Sequence, residues 1–252
     1  EPPLQQTKPA RDLLLAIDIS QSMEAKDYLG KDGTAVDRLT AVKQVVQDFI
    51  DKRPDDRLGL ILFGGGAFAQ APLTLDHGSL KILLDQAGIG MAGPNTAIGD
   101  AIGLGIKMLA NSEQPDKTLI LLTDGSDNHS VIPPDQAAKL AAEKHIRIHA
   151  IGIGDLQTTG DNRVDSQALQ MIADTTDGRS FMASDSSALD EVYRTLDSIT
   201  PHEVQHLSFQ PKRELFFWPL GLALLLLLAY HGLAALWASR PQAAAVKSGG
   251  VE

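Results

Sequence analysis

Between Arg11 and about Thr200, short apolar runs alternate with amphipathic stretches, the pattern of strand–helix–strand units around a largely parallel sheet. Leu13–Ile17 is the first predicted strand. Arg38–Ile50 follows as a helix, with Leu39, Val42, Val45, Val46, Phe49 and Ile50 along one stripe. Leu58–Phe63 and Ala69–Leu75 read as strands joined by glycines 64–66. Leu80–Leu84 and Ala97–Leu109 read as helices, the second with Ile98, Ile102, Ile106 and Leu109 on one side. Thr118–Thr123 is a continuous apolar strand, Asp135–Lys144 a helix and Arg147–Ile153 a strand. Gln167–Asp174 and Ser187–Ile199 are closing helices around a short strand, Ser180–Met182. No internal repeat is visible. The predicted fold class is α/β, a Rossmann-like arrangement with a mostly parallel central sheet flanked by helices.

A second region starts near Leu215. Leu215–Ala238 contains no charged residue and is apolar on every face around Leu224–Leu228. About 20 such residues span the ~30 Å hydrocarbon layer as a helix. Trp218 and Trp237 sit where interfacial aromatic anchors belong. Pro219 falls in the opening turn, where a missing N–H does no harm. Lys212 and Arg213 before the span balance Arg240 and Lys247 after it, so counting positive charges leaves the orientation open. His231, beside Gly232, is read as a helix-packing residue rather than a functional one. The expected organisation is a linker over 1–10, a globular domain over 11–200 and a connector over 201–214. A transmembrane helix over 215–238 and a disordered tail over 239–252 complete it.

The net charge of −10 argues against a nucleic-acid binder, which needs a basic face to neutralise phosphates. The chain has no cysteine, which excludes disulfides, thiolate metal sites and cysteine nucleophiles.

Ligands of open parallel sheets gather at the carboxyl ends of the strands. That rule selects Asp18, Ser20 and Ser22 after the first strand and Thr123–Gly125 after "LILL". It also selects the loop entering the Ala97 helix, where Asn95 and Thr96 stand at N-cap positions. Asp18, Asp124, Ser20, Ser22 and Thr96 are then expected to converge on one point. All five are hard oxygen donors, a set that suits Mg²⁺, with Mn²⁺ or Ca²⁺ as variants. Each element alone is an ordinary turn or cap; the ordered conjunction is far more specific.

DISQS, Thr96 and TDG together resemble the von Willebrand factor type A (VWA) domain and its metal-ion-dependent adhesion site (MIDAS), over Arg11 to about Ile199. The blocks "RDLLLAIDISQSM", "DRLTAVKQVVQDFI", "DRLGLILFGGGAFAQAPLTLD", "NTAIGDAIGLGIK" and "LILLTDGSDN" are similar to bacterial Bat aerotolerance proteins, especially the BatA type. "RELFFWPLGLALLLLL" is similar to that family's membrane span. The resemblance implies that the serines ligate the metal directly, with Thr96 and the aspartates contributing directly or through water. It implies that a partner protein's Glu or Asp completes the shell. It further implies other Bat-type proteins and a MoxR-type AAA+ ATPase as partners, in stress tolerance or protein maturation. One or two spans upstream of Glu1 and a periplasmic domain on the bacterial inner membrane also follow, cytoplasmic exposure being the alternative. Integrin-type A domains have an acidic pair behind this motif for a second metal, where this chain has Ala25 and Lys26. Glu24 and Asp27 are therefore expected to be solvated.

The enzymatic alternative is a metal-dependent phosphatase-like hydrolase using Asp18 as nucleophile. Such enzymes place a second, acid/base Asp two residues on, where this chain has Ser20, which cannot protonate a leaving group as a carboxylic acid does. Gly64-x-Gly66-x-x-Ala69 fits a relaxed dinucleotide fingerprint, but a strand pattern follows where a helix is needed. His129 is read as a surface loop residue. The expectation is a membrane-anchored, metal-dependent protein-binding module without catalytic activity.

Overall fold

The computed structural model describes residues 4–7, 11–29, 34–112, 114, 116–154, 164–183, 188, 191–192, 195, 206–209 and 217–238. The chain divides into two compact units, Gln6–Leu207 and a smaller one containing 208–252.

In chain order the strands are β1 (Leu4–Thr7), β2 (Asp12–Asp18), β3 (Tyr28–Leu29), β4 (Ala35–Val36), β5 (Arg57–Phe63) and β6 (Ala67–Thr74). They continue with β7 (Lys117–Thr123), β8 (Ile146–Ile153), β9 (Ser180–Ala183) and β10 (His206–Phe209). The helices of the larger unit are α1 (Arg38–Asp51), α2 (His77–Asp85), α3 (Ile98–Leu109), α4 (Pro134–Glu143) and α5 (Ser166–Thr175). Six strands form one sheet in the order β6-β5-β2-β7-β8-β9. Every pairing is parallel except β5 with β6, which the glycines at 64–66 turn back as an antiparallel edge.

The two faces of the sheet follow from the period of two along a strand. Leu13, Leu15 and Ile17 of β2 point into a core shared with α1 and α2, whose Leu39, Val42, Val46 and Leu80 are buried against them. Leu14 and Ala16 point the other way, into a core with Ile98, Ile102, Ala138 and Leu169 of α3, α4 and α5. Both faces of β2, β5 and β7 are covered, which explains their near-continuous Leu/Ile runs. Each fully buried Leu or Ile contributes about 1.5–3 kcal/mol relative to exposure.

Element ends differ slightly from expectation. Asp12 and Asp18 belong to the first strand, α2 begins at His77 behind an Asp76 cap, and α3 begins after Ala97. Most of the predicted helix Ser187–Ile199, the connector 201–214 and the tail 239–252 lie outside the described residues.

This topology places the site. β2 leads through α1 on one face, and β7 leads through α4 on the other. The loops leaving the carboxyl ends of these adjacent strands therefore diverge, opening a crevice between them, as open α/β sheets do at a switch point.

In the smaller unit, α6 (Phe217–Ala238) is a 22-residue helix whose Trp218–Ala235 window is long and apolar enough to cross a membrane. Its leucines are exposed, Leu224 to Leu228 each at 60% or more. His231 Nδ1 lies 2.9 Å from the Leu227 carbonyl within the helix.

Candidate metal centre

Asp18 closes β2 and is fully buried, and both its oxygens are held. Oδ1 accepts from the Ser20 backbone N–H at 2.9 Å, and Oδ2 accepts from the Thr123 hydroxyl at 2.6 Å. Ser20, in extended conformation, opens a 3₁₀ turn over Gln21–Glu24, so the chain curls back and brings Ser22 beside it. The two serine oxygens are 3.0 Å apart. Ser22 Oγ donates to Asp124 Oδ1 at 2.6 Å. Asp124 follows the last residue of β7, next to the end of β2.

Thr96 stands on the opposite rim. A Cβ built on Gly125 would come within 3.2 Å of Thr96 Oγ1, so this hydroxyl lies against the backbone that follows Asp124. Thr96 is not the N-cap of α3. Ala97 occupies that position without a side-chain cap bond. The first amides of the helix are satisfied by the loop after β7: Ile98 N–H donates to Asp127 Oδ1 at 2.8 Å and Gly99 N–H to Ser130 Oγ at 2.8 Å. The Thr96 backbone is itself pinned through Asn128, whose side-chain oxygen accepts from Thr96 N–H at 3.0 Å. The Thr96 hydroxyl is thereby released from capping. It lines a cleft of about 500 Å³ together with Gln21, Ser22, Glu24, Gly125 and Asn128.

The structure thus brings Asp18, Ser20, Ser22 and Asp124 into one hydrogen-bonded cluster and sets Thr96 at its edge. Three further residues surround this cluster: Thr123, which lies in the selected strand-end stretch but is not among the five expected donors, Arg38, which the sequence does not single out, and Asp27. Thr123 anchors Asp18. Arg38, the first residue of α1, is 1% exposed, and its Nη1 donates to Asp124 Oδ2 at 2.8 Å. Asp27, 44% exposed at its side chain, accepts from Arg38 Nε at 2.9 Å and forms an ion pair with Nη2. Asp27 is exposed, as expected of a solvated residue, and its carboxylate is in addition a second partner of the buried Arg38 guanidinium.

Burial pushes the Asp18 carboxyl up to about 7, and the neighbouring Asp124 charge adds to this, against the hydrogen bonds from Ser20 and Thr123. Asp124 is also raised by burial, with Ser22 and Arg38 pulling the other way. Two carboxylates this close and this enclosed favour a cation or a proton between them.

The donor set fits a small hard cation. In an octahedral shell with bonds of about 2.0–2.1 Å, neighbouring ligand oxygens are about 2.9 Å apart. The Ser20–Ser22 and Ser22–Asp124 separations of 3.0 and 2.6 Å are close to that edge. Among the described residues, no three His, Cys, Asp or Glu side chains gather at any point, so the hydroxyls are an essential part of the donor set.

A doubly covered, mostly parallel sheet with a crevice at its switch point defines an α/β domain of the open-sheet type. Residues 12–195 match the von Willebrand factor type A domain, and the chain belongs to that family. BatB from Bacteroides thetaiotaomicron is 27% identical, covers 75% of this chain and 98% of its own, and superposes with a TM-score of 0.64. An aerotolerance-related membrane protein from Bacteroides fragilis is 25% identical over 73% of this chain and 97% of its own, with a TM-score of 0.61. An uncharacterized protein of Borreliella burgdorferi is 33% identical over 143 residues, 57% of this chain and 40% of that protein. The chain spans 40–61% of the length of the curated relatives it matches.

Proposed function

We propose that this VWA domain is a membrane-anchored, Mg²⁺-dependent protein-binding module that performs no chemistry of its own. The observation that carries the reading is the hydrogen-bonded cluster of Asp18, Ser20, Ser22 and Asp124, whose Ser22 lines, with Thr96, a cleft of about 500 Å³. Asp18, Asp124, Ser20, Ser22 and Thr96 hold the ion, directly or through water. Two carboxylates, one of them neutralised by Arg38, leave a divalent cation with surplus positive charge. A Glu or Asp from another protein, entering the cleft, is the natural group to complete the shell.

The hydrolase alternative gains nothing from the geometry. Both Asp18 oxygens are engaged by Ser20 and Thr123, and the side chain is enclosed, so neither is free to attack a phosphate. Two residues on stands a serine where an acid is required.

In this reading α6 is the anchor, since a helix with leucine exposed around its whole circumference is stable only in lipid. The likeness to BatB and to an aerotolerance-related membrane protein supports a place among Bat-type proteins; other VWA proteins and a MoxR-type ATPase are the partners that the resemblance implies. The domain lies on the periplasmic face of a bacterial inner membrane.

The test is capture of such a partner on the immobilised chain with Mg²⁺ and with EDTA, for wild type and Thr96→Ala. Binding that needs Mg²⁺ and is lost in the variant is the expected result. Equal capture in EDTA contradicts the reading.

A further inference from the structure

Arg38 is where a buried charge is least expected, at the opening of an otherwise amphipathic helix, and three segments meet on it. Its Nη1 holds Asp124 Oδ2 at 2.8 Å, its Nε and Nη2 hold Asp27, and its backbone N–H donates to the Ala25 carbonyl at 3.2 Å. Gly154, at the end of β8, adopts φ +129 directly against the guanidinium, where a Cβ would lie 3.1 Å from Nη2. Arginine keeps its charge under any ordinary condition. The fold has thus built a permanent cation against the inner carboxylate of the metal cluster.

We infer that Arg38 is the resident counter-charge of the metal site, holding Asp124 in place without the ion and weakening the site's hold on the ion once it binds. The inference rests on the metal-binding reading above. Its physical content is a division of Asp124: Oδ2 is committed to Arg38, and only Oδ1 faces Ser22 and the cluster. Asp124 therefore offers one oxygen, and half of the cluster's carboxylate charge is cancelled before any ion arrives. Asp27 sits on the outer side of Arg38, partly in water. It draws the guanidinium outward and limits how much of its charge reaches Asp124. Arg38 is a positioning residue acting through Asp124, and the same positive charge favours an anionic group as the final ligand of the ion.

A clamp and a counter-charge make opposite predictions for Arg38→Met. Mg²⁺ binding is measured by calorimetry at about pH 8 on the whole 252-residue chain in detergent. Removing the charge while keeping the apolar volume, Arg38→Met, tightens Mg²⁺ binding about tenfold. It also lowers the melting temperature in EDTA, because the Asp124 carboxylate is left buried without its counter-charge, held by Ser22 alone. Asp27→Asn, at a half-exposed position, does the reverse and weakens binding about threefold, because Arg38 then acts more fully on Asp124. If Arg38 only fixes geometry, both variants weaken binding, and that result overturns the inference while leaving the metal site intact. Should Arg38→Met fail to fold, Arg38→Gln, which keeps a hydrogen-bond donor beside Asp124 without the charge, takes its place: tighter binding supports the counter-charge, and unchanged or weaker binding refutes it, as does unchanged or tighter binding in Asp27→Asn. Absence of Mg²⁺ binding in the wild type removes the metal reading and this inference with it.

Discussion

Asp18 is enclosed at the edge of the sheet with its carboxyl raised from 3.8 to about 7. In that window the folded protein binds a proton that the unfolded chain has released. Its contribution to stability therefore falls as pH rises from about 4 to about 7. His149 works in the opposite sense. Burial first, then Arg147 and Arg179, lower its pKa from 6.5 to about 4. The stability that depends on its staying neutral is lost as pH falls through that range. Comparing wild type with Asp18→Asn cancels the histidine. In EDTA, the wild-type unfolding free energy relative to the variant should decline between about pH 4 and about pH 7. Chemical denaturation at several pH values measures this, and a difference independent of pH contradicts the burial argument. Mg²⁺ binding below about pH 7 should also release a proton, visible as a buffer-dependent calorimetric enthalpy. The oxygen donors were legible in the sequence because D-x-S-x-S and T-D-G follow apolar runs. Arg38 was not, because an arginine opening an amphipathic helix reads as solvated, and only the fold reveals what covers it.

At the scale of elements, the strands of the six-stranded sheet and helices α1 to α5 could be read from their apolar positions, whereas the short strands β1, in the stretch read as a linker, β3, β4 and β10 could not. The ends of those that could be read were less legible. The entry to α3 shows why: Asn95 and Thr96 are ordinary capping types in the right place, yet the caps come from Asp127 and Ser130, 29 and 31 residues further on. A long-range cap leaves no local signature. The same loop presses so closely that a Cβ on Gly99 would lie 1.8 Å from the Ile132 carbonyl. Asp127→Ala should cost about 1–2 kcal/mol of unfolding free energy, as loss of a helix cap does. Asn95→Ala should change it by less than about 0.5 kcal/mol. Gly99→Ala should cost about 2 kcal/mol or more, because the backbone at 132 cannot yield as a side-chain tip can. Denaturant titration of the three variants reads all of these. A larger effect from Asn95→Ala than from Asp127→Ala contradicts the capping assignment.

For the molecule as a whole, the sheet collects three loops distant in sequence, those after β2, before α3 and after β7, at one crevice. Strand order decides this, and strand order is what a chain of alternating patterns alone leaves open; the resemblance carried by five short blocks supplied it. Lys212 and Arg213 before α6 balance Arg240 and Lys247 after it, so the proposed periplasmic placement is tested by proteolysis. Protease added to spheroplasts should digest the sheet domain along with a periplasmic control, and survival of an intact domain puts it in the cytoplasm. The central claim, that the cluster at the crevice is a metal site, is tested most directly by titrating Mg²⁺ into wild type and Asp18→Ala in a calorimeter. Saturable heat in the wild type and none in the variant is the predicted result; equal heats in the two proteins contradict it.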